Sequence, residues 1–250
     1  MDMTPFYREE DLFPREFTGA VERPWGILFY SEDNRDSYDS NHALIRRDHV
    51  DDLPAVLSEI TAFYLSRGLH PVIYQSILDD GWFGEIAGAL SDAGYRSWLE
   101  EQTYMLLTQE SAIVPPADVE VRRETRWQDA FADGIFLAAG EPWEIPVVKR
   151  QLQNPGTRFF AAYEQGRPVG MIYGHVNGEG VVRIDYLLVA PAHRGKGVGR
   201  ALTHAFVAEV RRSGLACALW PDGDTPRRIY EDAGFRYVET RMAGRASWNK

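Results

Sequence analysis

The residues best suited to chemistry lie together between positions 190 and 200. Ala190-Pro191-Ala192-His193-Arg194-Gly195-Lys196-Gly197-Val198-Gly199-Arg200 interleaves glycines with Arg194, Lys196 and Arg200. Glycine has no Cβ, so main-chain N–H groups can converge on an anion where a helix begins, and a helix start is itself electropositive. The three cations add full charges nearby. Together they read as a pyrophosphate cradle. Two other phosphate loops do not fit: G-x-x-x-x-G-K-[ST] is absent, and G-x-G-x-G is not the dinucleotide spacing G-x-G-x-x-G. The competing reading is an ordinary glycine-rich connection between a strand and a helix.

A cradle needs a strand to deliver it and a helix to open from it. Apolar periodicity predicts a strand over 181–189 and an amphipathic helix over 198–212. Upstream, a strand is predicted over 119–123. A helix over 127–139 follows, with Trp127, Phe131, Ile135 and Phe136 at helical spacing, and helix again over 146–152. Strands over 158–163, 169–176 and 181–189 are separated by the turn signals EQGRP (164–168) and NGEG (177–180), which makes an antiparallel meander. Downstream come a strand at 215–220, a helix at 225–233 and a strand at 235–242. The predicted order is β-α-α-β-β-β-α-β-α-β.

Tyr186-Leu187-Leu188-Val189-Ala190-Pro191, followed by Arg194-Gly195-Lys196-Gly197-Val198-Gly199, resembles the signature of the GNAT superfamily of N-acetyltransferases. Ile229-Tyr230-Glu231-Asp232-Ala233-Gly234-Phe235 resembles that family's Y-E-x-x-G-F ending, and the likeness covers residues 119–242 in element order. It implies an α/β (α+β) fold, a mixed sheet flanked by helices, and acetyl-CoA as co-substrate; no metal is expected, because the chain has one cysteine and its six histidines lack metal spacing. The strand ending at Val189 is expected to splay from the strand at 215–220. The pantetheine arm then bonds main-chain groups around Leu187, Leu188 and Val189, while residues 194–200 hold the diphosphate. A lysine-like amine, with a pKa of about 10.4, must lose a proton before it attacks a thioester. The resemblance offers Asp185 as the base, with an ion pair to a neighbour such as Arg183 as its alternative use. It offers a main-chain N–H at Leu188 or Val189 for the developing oxyanion. It also offers Tyr230 as the acid for the departing thiolate, where roughly 10 for a tyrosine against about 8.5 for a thiol would be a near match. Its alternative is a core aromatic. One departure is Gly223, where many relatives carry an asparagine; Asp222 or Asp224 would only accept hydrogen bonds there.

The first half repeats the ending of the second: strands at 26–30 and 43–47, a helix at 51–66, a strand at 72–76, a helix at 82–93 and a strand from Tyr95. Asp92-Ala93-Gly94-Tyr95-Arg96 matches Asp232-Ala233-Gly234-Phe235-Arg236, and Arg67-Gly68-Leu69 matches Ser213-Gly214-Leu215. In that alignment Asp48-His49-Val50-Asp51-Asp52-Leu53 stands opposite the cradle, and Leu90 opposite Tyr230. Aspartates repel a diphosphate, so the first half is expected to be a degenerate GNAT-like domain. The Pro115–Pro116 pair and a change of charge there place the boundary between 1–112 and 113–250.

Residues 1–114 carry 8 arginines, no lysine and 21 acidic residues, a net −13, whereas the remainder carries +3. A total of −10 argues against general nucleic-acid binding. No apolar run approaches the roughly 20 residues of a membrane span, and a cytoplasmic protein is expected. Cys217 is the only cysteine, so no internal disulfide forms, and as a predicted core-strand residue it reads as packing. His193 reads as an exposed loop histidine. Glu141, Trp143 and Glu144 either shape a cationic acceptor's pocket or form a solvated acidic loop. The leading expectation is transfer of acetyl to a primary amine of a small molecule or peptide. The rivals are an idle acyl-CoA-binding sensor and a protein N-terminal or lysine acetyltransferase, and the sequence leaves a homodimer open.

Overall fold

In the computed structural model, residues 1–176 and 178–249 are described; Asn177 of the expected NGEG turn lies outside them. The chain packs as two compact units, one of residues 1–102 with 240–250 and one of residues 103–239. This cut falls ahead of the Pro115–Pro116 pair, and it returns the last residues of the chain to the first unit.

The first unit contains α1 (Thr4–Leu12), β1 (Gly19–Arg23), β2 (Gly26–Tyr30), β3 (Ala43–Ile45), α2 (Leu53–Leu65), β4 (Val72–Gln75), α3 (Trp82–Glu85), α4 (Ala87–Asp92) and the start of β5 (Tyr95–Leu107). Strands β1, β2 and β3 pair antiparallel in turn, β3 pairs parallel with β4, and β4 pairs antiparallel with residues 245–247. Helix α1 and strand β1 lie where the sequence pattern predicts no element. The helix expected over 82–93 is broken at Ile86 into α3 and α4, as suits a segment carrying Gly84 and Gly88. The core of this unit gathers Leu28, Leu57, Ile60, Tyr64, Phe83 and Leu90, all close to fully buried.

Asp11 fastens α1 within this unit. Its carboxylate accepts from the Ser76 hydroxyl and, at 3.0 Å, from the Ile77 N–H. Burial pushes the carboxyl up to about 7, against the pull of those two hydrogen bonds. Unfolded, the group ionises near its ordinary value of 3.8, so between there and about 7 the unfolded chain holds fewer protons than the folded one. Stability therefore falls as pH rises through that window and is level above it. Melting curves of wild type and Asp11→Asn from about pH 4.5 to 8 are expected to show the wild type losing stability relative to the variant up to about pH 7; parallel pH dependence would contradict this.

The second unit contains the end of β5, β6 (Glu120–Glu124), α5 (Glu144–Gln151), β7 (Thr157–Glu164), β8 (Arg167–Val176), β9 (Val181–Val189), α6 (Val198–Ser213), β10 (Ala216–Leu219), α7 (Asp224–Asp232) and the start of β11 (Phe235–Trp248). Its strand order is β5-β10-β9-β8-β7-β6. All neighbours are antiparallel except β10 with β9. The expected meander is thus β7-β8-β9. The expected helix at 127–139 begins near residue 130 and contains a π turn over Ala132–Leu137. β11 runs to Trp248 rather than stopping at 242.

Helix α6 forms because Val198, Ala201, Leu202, Phe206 and Val207 recur on one face, and that face is buried against β7, β8 and β9. Gly214 ends it in a left-handed cap at φ 69°, and its repeat partner Gly68 has φ 65°. Gly94 and Gly234 are likewise left-handed, at φ 90° and 103°. The matched glycines of the two halves therefore do the same backbone work. Among the described residues, no helix is long and apolar enough to cross a membrane.

Candidate active site

The short strand β10 is a parallel neighbour of β9 only over the start of β9: Ala216, Cys217 and Ala218 pair with Val181, Val182 and Arg183, and the register ends there. On its other edge β9 stays paired with β8 as far as Val189. Ala190 N–H donates to the Val169 carbonyl at 2.9 Å, so ladder alternation makes Leu188 a hydrogen-bonded partner of Met171. The main-chain groups of Leu187 and Val189 then point to the edge that β10 has left. Arg194 Nε donates at 2.9 Å to the Val189 carbonyl, as that orientation requires. Of the two expected oxyanion donors, the ladder engages Leu188 and leaves Val189 available. This opening is the gap into which an extended, amide-bearing ligand would fit as a strand.

At the end of β9, a 3-10 turn (Pro191–His193) leads into the glycines. Gly195 and Gly197 have φ 75° and 84°, and Gly197 is the N-cap of α6. A Cβ on Gly197 would lie 3.0 Å from Pro116 Cγ. The first-turn N–H groups of α6, around Gly199 and Arg200, have no acceptor within the helix and lie at its positive end. Arg194, Gly195 and Lys196 are exposed, whereas Val198 is buried as the helix's first anchor. Arg200 forms an ion pair of 2.5 Å with Asp232, linking α6 to α7 and offsetting part of the loop's positive charge. His193 Nδ1 lies 2.9 Å from Glu164, so the histidine has a carboxylate partner rather than standing free in the loop.

Asp185 sits on a β-bulge: Tyr186 pairs with Tyr173 and Ile184 with Gly174, which leaves Asp185 as the extra residue of β9. Simple alternation does not predict its direction for that reason. Oδ1 accepts from the Arg183 guanidinium, so the ion pair weighed as an alternative is present. Oδ2 accepts from the Tyr173 hydroxyl at 2.5 Å. The same hydroxyl lies 2.7 Å from Glu144 Oε1, and Glu144 is 2% exposed at the start of α5. Glu144 is thus a buried partner of the site rather than part of a solvated loop. Tyr173 escaped the sequence reading because a tyrosine inside an apolar strand reads as core; no spacing signal marks it. Trp143 donates to Glu141 at 2.6 Å, and its ring meets Tyr186 edge to face at 6.2 Å.

Tyr230 lies on α7, 5% exposed, with its ring 5.8 Å from that of Phe235. Burial pushes its phenol well above the usual tyrosine range, with the charges of Cys217 and Asp185 adding to the rise. The near match expected between this phenol and a thiol therefore does not hold in the free protein, where Tyr230 is a weaker acid. Asp185 is near enough to act on it electrostatically. Cys217 is fully buried, and burial likewise pushes its thiol far up, as befits packing rather than a nucleophile. Gly223 precedes α7 at φ 89°.

Residues 123–235 match the profile of the Acetyltransferase (GNAT) family, spanning the bulged strand, the opening beside it, the cradle and Tyr230. This chain carries a GNAT acetyltransferase domain. A mycothiol acetyltransferase from Saccharomonospora viridis is 35% identical over 130 residues, which are 49% of this chain and 37% of that protein. One from Nocardiopsis dassonvillei is 32% identical over 126 residues, 49% and 33% of the two chains. The chain thus spans about a third of the length of the curated relatives it matches. Among solved structures, a GCN5-related N-acetyltransferase from Kribbella flavida aligns with a TM-score of 0.68 over 99% of this chain and 95% of its own, at 16% identity. At that identity the likeness is one of fold: a mixed α/β GNAT-like architecture.

Among the described residues of the first unit, the corresponding strand pair does not separate. Strand β3 is paired with β4 along its whole length, Ala43 to Ile45 against Ile73 to Gln75, and Ser76 N–H extends the ladder to the Ile45 carbonyl at 2.9 Å. Asp52, aligned in the sequence repeat with the loop at 194–200, caps α2 by accepting from Ala55 N–H at 3.1 Å. Leu90, aligned in the repeat with Tyr230, is fully buried core.

Proposed function

We propose that this protein transfers an acetyl group from acetyl-CoA to a primary amine of a small molecule or peptide, and that residues 103–239 hold the site. The observation that carries the reading is the unpaired edge of β9 running straight into a glycine loop at the N-terminus of α6. One end suits the amide-bearing arm of the co-substrate and the other its diphosphate. Relatives named as mycothiol acetyltransferases support acetyl transfer as the reaction; the acceptor does not carry over from them.

In this reading Asp185 takes the proton that frees the amine's lone pair. The amine nitrogen attacks the thioester carbonyl, the C–N bond forms, and Val189 N–H meets the charge gathering on oxygen. The C–S bond then breaks and Tyr230 hydrogen-bonds or protonates the departing sulfur. The closed β3/β4 ladder and the capping aspartate support reading the first unit as a degenerate tandem partner with no acetyl-CoA site of its own. Release of CoA from acetyl-CoA is expected with at least one member of a panel comprising benzylamine, spermidine and a lysine-containing tetrapeptide, with the acetylated amine identified by mass spectrometry. Saturable acetyl-CoA binding without turnover on any of them would instead make the protein an acyl-CoA sensor.

A further inference from the structure

We propose that Tyr173 and Glu144 form a proton relay behind Asp185, positioning residues that empty its carboxylate between the two proton losses of amine acetylation. The inference rests on the amine-acetyltransferase reading given above. An ammonium acceptor that becomes an amide loses two protons: R–NH3+ and acetyl-CoA give R–NH–COCH3, CoA-SH and one H+. The first proton leaves before the nitrogen lone pair can form the C–N bond. The second leaves the nitrogen as the C–S bond breaks. One proton ends on sulfur and one in solvent. A lone carboxylate that has taken the first is a poor acceptor for the second.

The geometry supplies a place for the first proton. The Tyr173 oxygen stands 2.5 Å from Asp185 Oδ2 and 2.7 Å from Glu144 Oε1. A phenol owns one proton, so it gives to one carboxylate at a time while its oxygen can receive from the other. Once Asp185 is protonated, Tyr173 passes its own proton to Glu144 and takes the one on Asp185. The phenol is neutral before and after, Asp185 is again a carboxylate, and Glu144 holds the proton.

The burial of the three groups gives the relay its direction. The Asp185 side chain is 18% exposed, Tyr173 only 1% and Glu144 2%, so Asp185 is the member that meets the acceptor and Glu144 the inner store. Arg183 holds the opposite oxygen of Asp185 and so fixes Oδ2 toward Tyr173. A purely structural network would need the hydrogen bonds but not the capacity of Glu144 to take a proton.

The test uses the whole chain with whichever panel amine turns over fastest, at saturating acetyl-CoA. It compares wild type, Tyr173→Phe, Glu144→Gln and the double variant, with thermal melting as a check on folding. Each single variant is expected to lose about tenfold to a hundredfold in kcat. The KM for the amine should stay within about twofold, and the double variant should be no slower than the slower single one, because both changes break one path. Should Tyr173→Phe fail to fold, Glu144→Gln decides alone: its amide keeps a hydrogen bond to the phenol but cannot store the proton. Unchanged kcat, an effect confined to KM, or additive losses would overturn the relay while leaving the amine reading intact. Wild type inactive on every amine would overturn both.

Discussion

Tyr230→Phe is expected to lower kcat by about a hundredfold or more while leaving the KM for acetyl-CoA within about twofold, the scale of a lost general acid. The substitution removes one oxygen and keeps the ring, so the edge-to-face contact with Phe235 and the packing in the core of the second unit survive. A residue that only filled space would give unaltered turnover. The structure sharpens what the hydroxyl has to do. Burial makes it a weaker acid than a free tyrosine, so in the proposed mechanism the contribution expected of it is hydrogen bonding to the sulfur as negative charge builds rather than full proton transfer. Initial rates at varied acetyl-CoA with a fixed acceptor check this, with melting temperature confirming that the fold is intact.

Gly197→Val is expected to raise the KM for acetyl-CoA at least about a hundredfold, or about 2.7 kcal/mol in transition-state binding. Gly197 holds φ 84°, where a β-branched residue is strained by roughly 1–2 kcal/mol, and its new Cβ would press on Pro116 Cγ at 3.0 Å. Relief comes by rotating the loop out of the left-handed region, and that turns the N–H groups of the α6 start away from a common point. Stability changes little by comparison, because the loop is largely exposed and the helix keeps its buried face. A variant that melts near the wild-type temperature yet keeps its acetyl-CoA KM would show that the amides of this loop do not hold the diphosphate.

Much of the second unit was legible because its signals are local. The strand Val181–Val189 and the start of α6 at Val198 follow from apolar periodicity, and the loop between them is marked by Gly195 and Gly197, whose positive φ a residue with a Cβ adopts at a cost. Other features are set by tertiary packing and leave no local trace. The bulge that re-aims Asp185 is a matter of how β9 registers on β8. Glu144 and Tyr173 are distant in sequence and meet only when α5 packs, so the sequence offers Glu144 as a pocket or loop acid but gives no signal that joins it to Tyr173, which reads as a strand aromatic. The pairing of Arg200 with Asp232 on the next helix likewise has no local sequence signal. The strands β5 and β11 each straddle the division between units, so a boundary drawn from proline content and charge placed whole strands on one side of it.

The grip on the diphosphate is tested most directly by calorimetric titration of the wild-type protein with acetyl-CoA and, in parallel, with S-acetylpantetheine, which keeps the thioester arm but lacks the diphosphate and nucleotide. Saturable binding of acetyl-CoA, at least about a hundredfold tighter than that of the truncated thioester, is the predicted result. Equal affinity for the two, or no heat with acetyl-CoA on well-folded protein, would contradict a cradle at residues 194–200 and the acetyl transfer built on it.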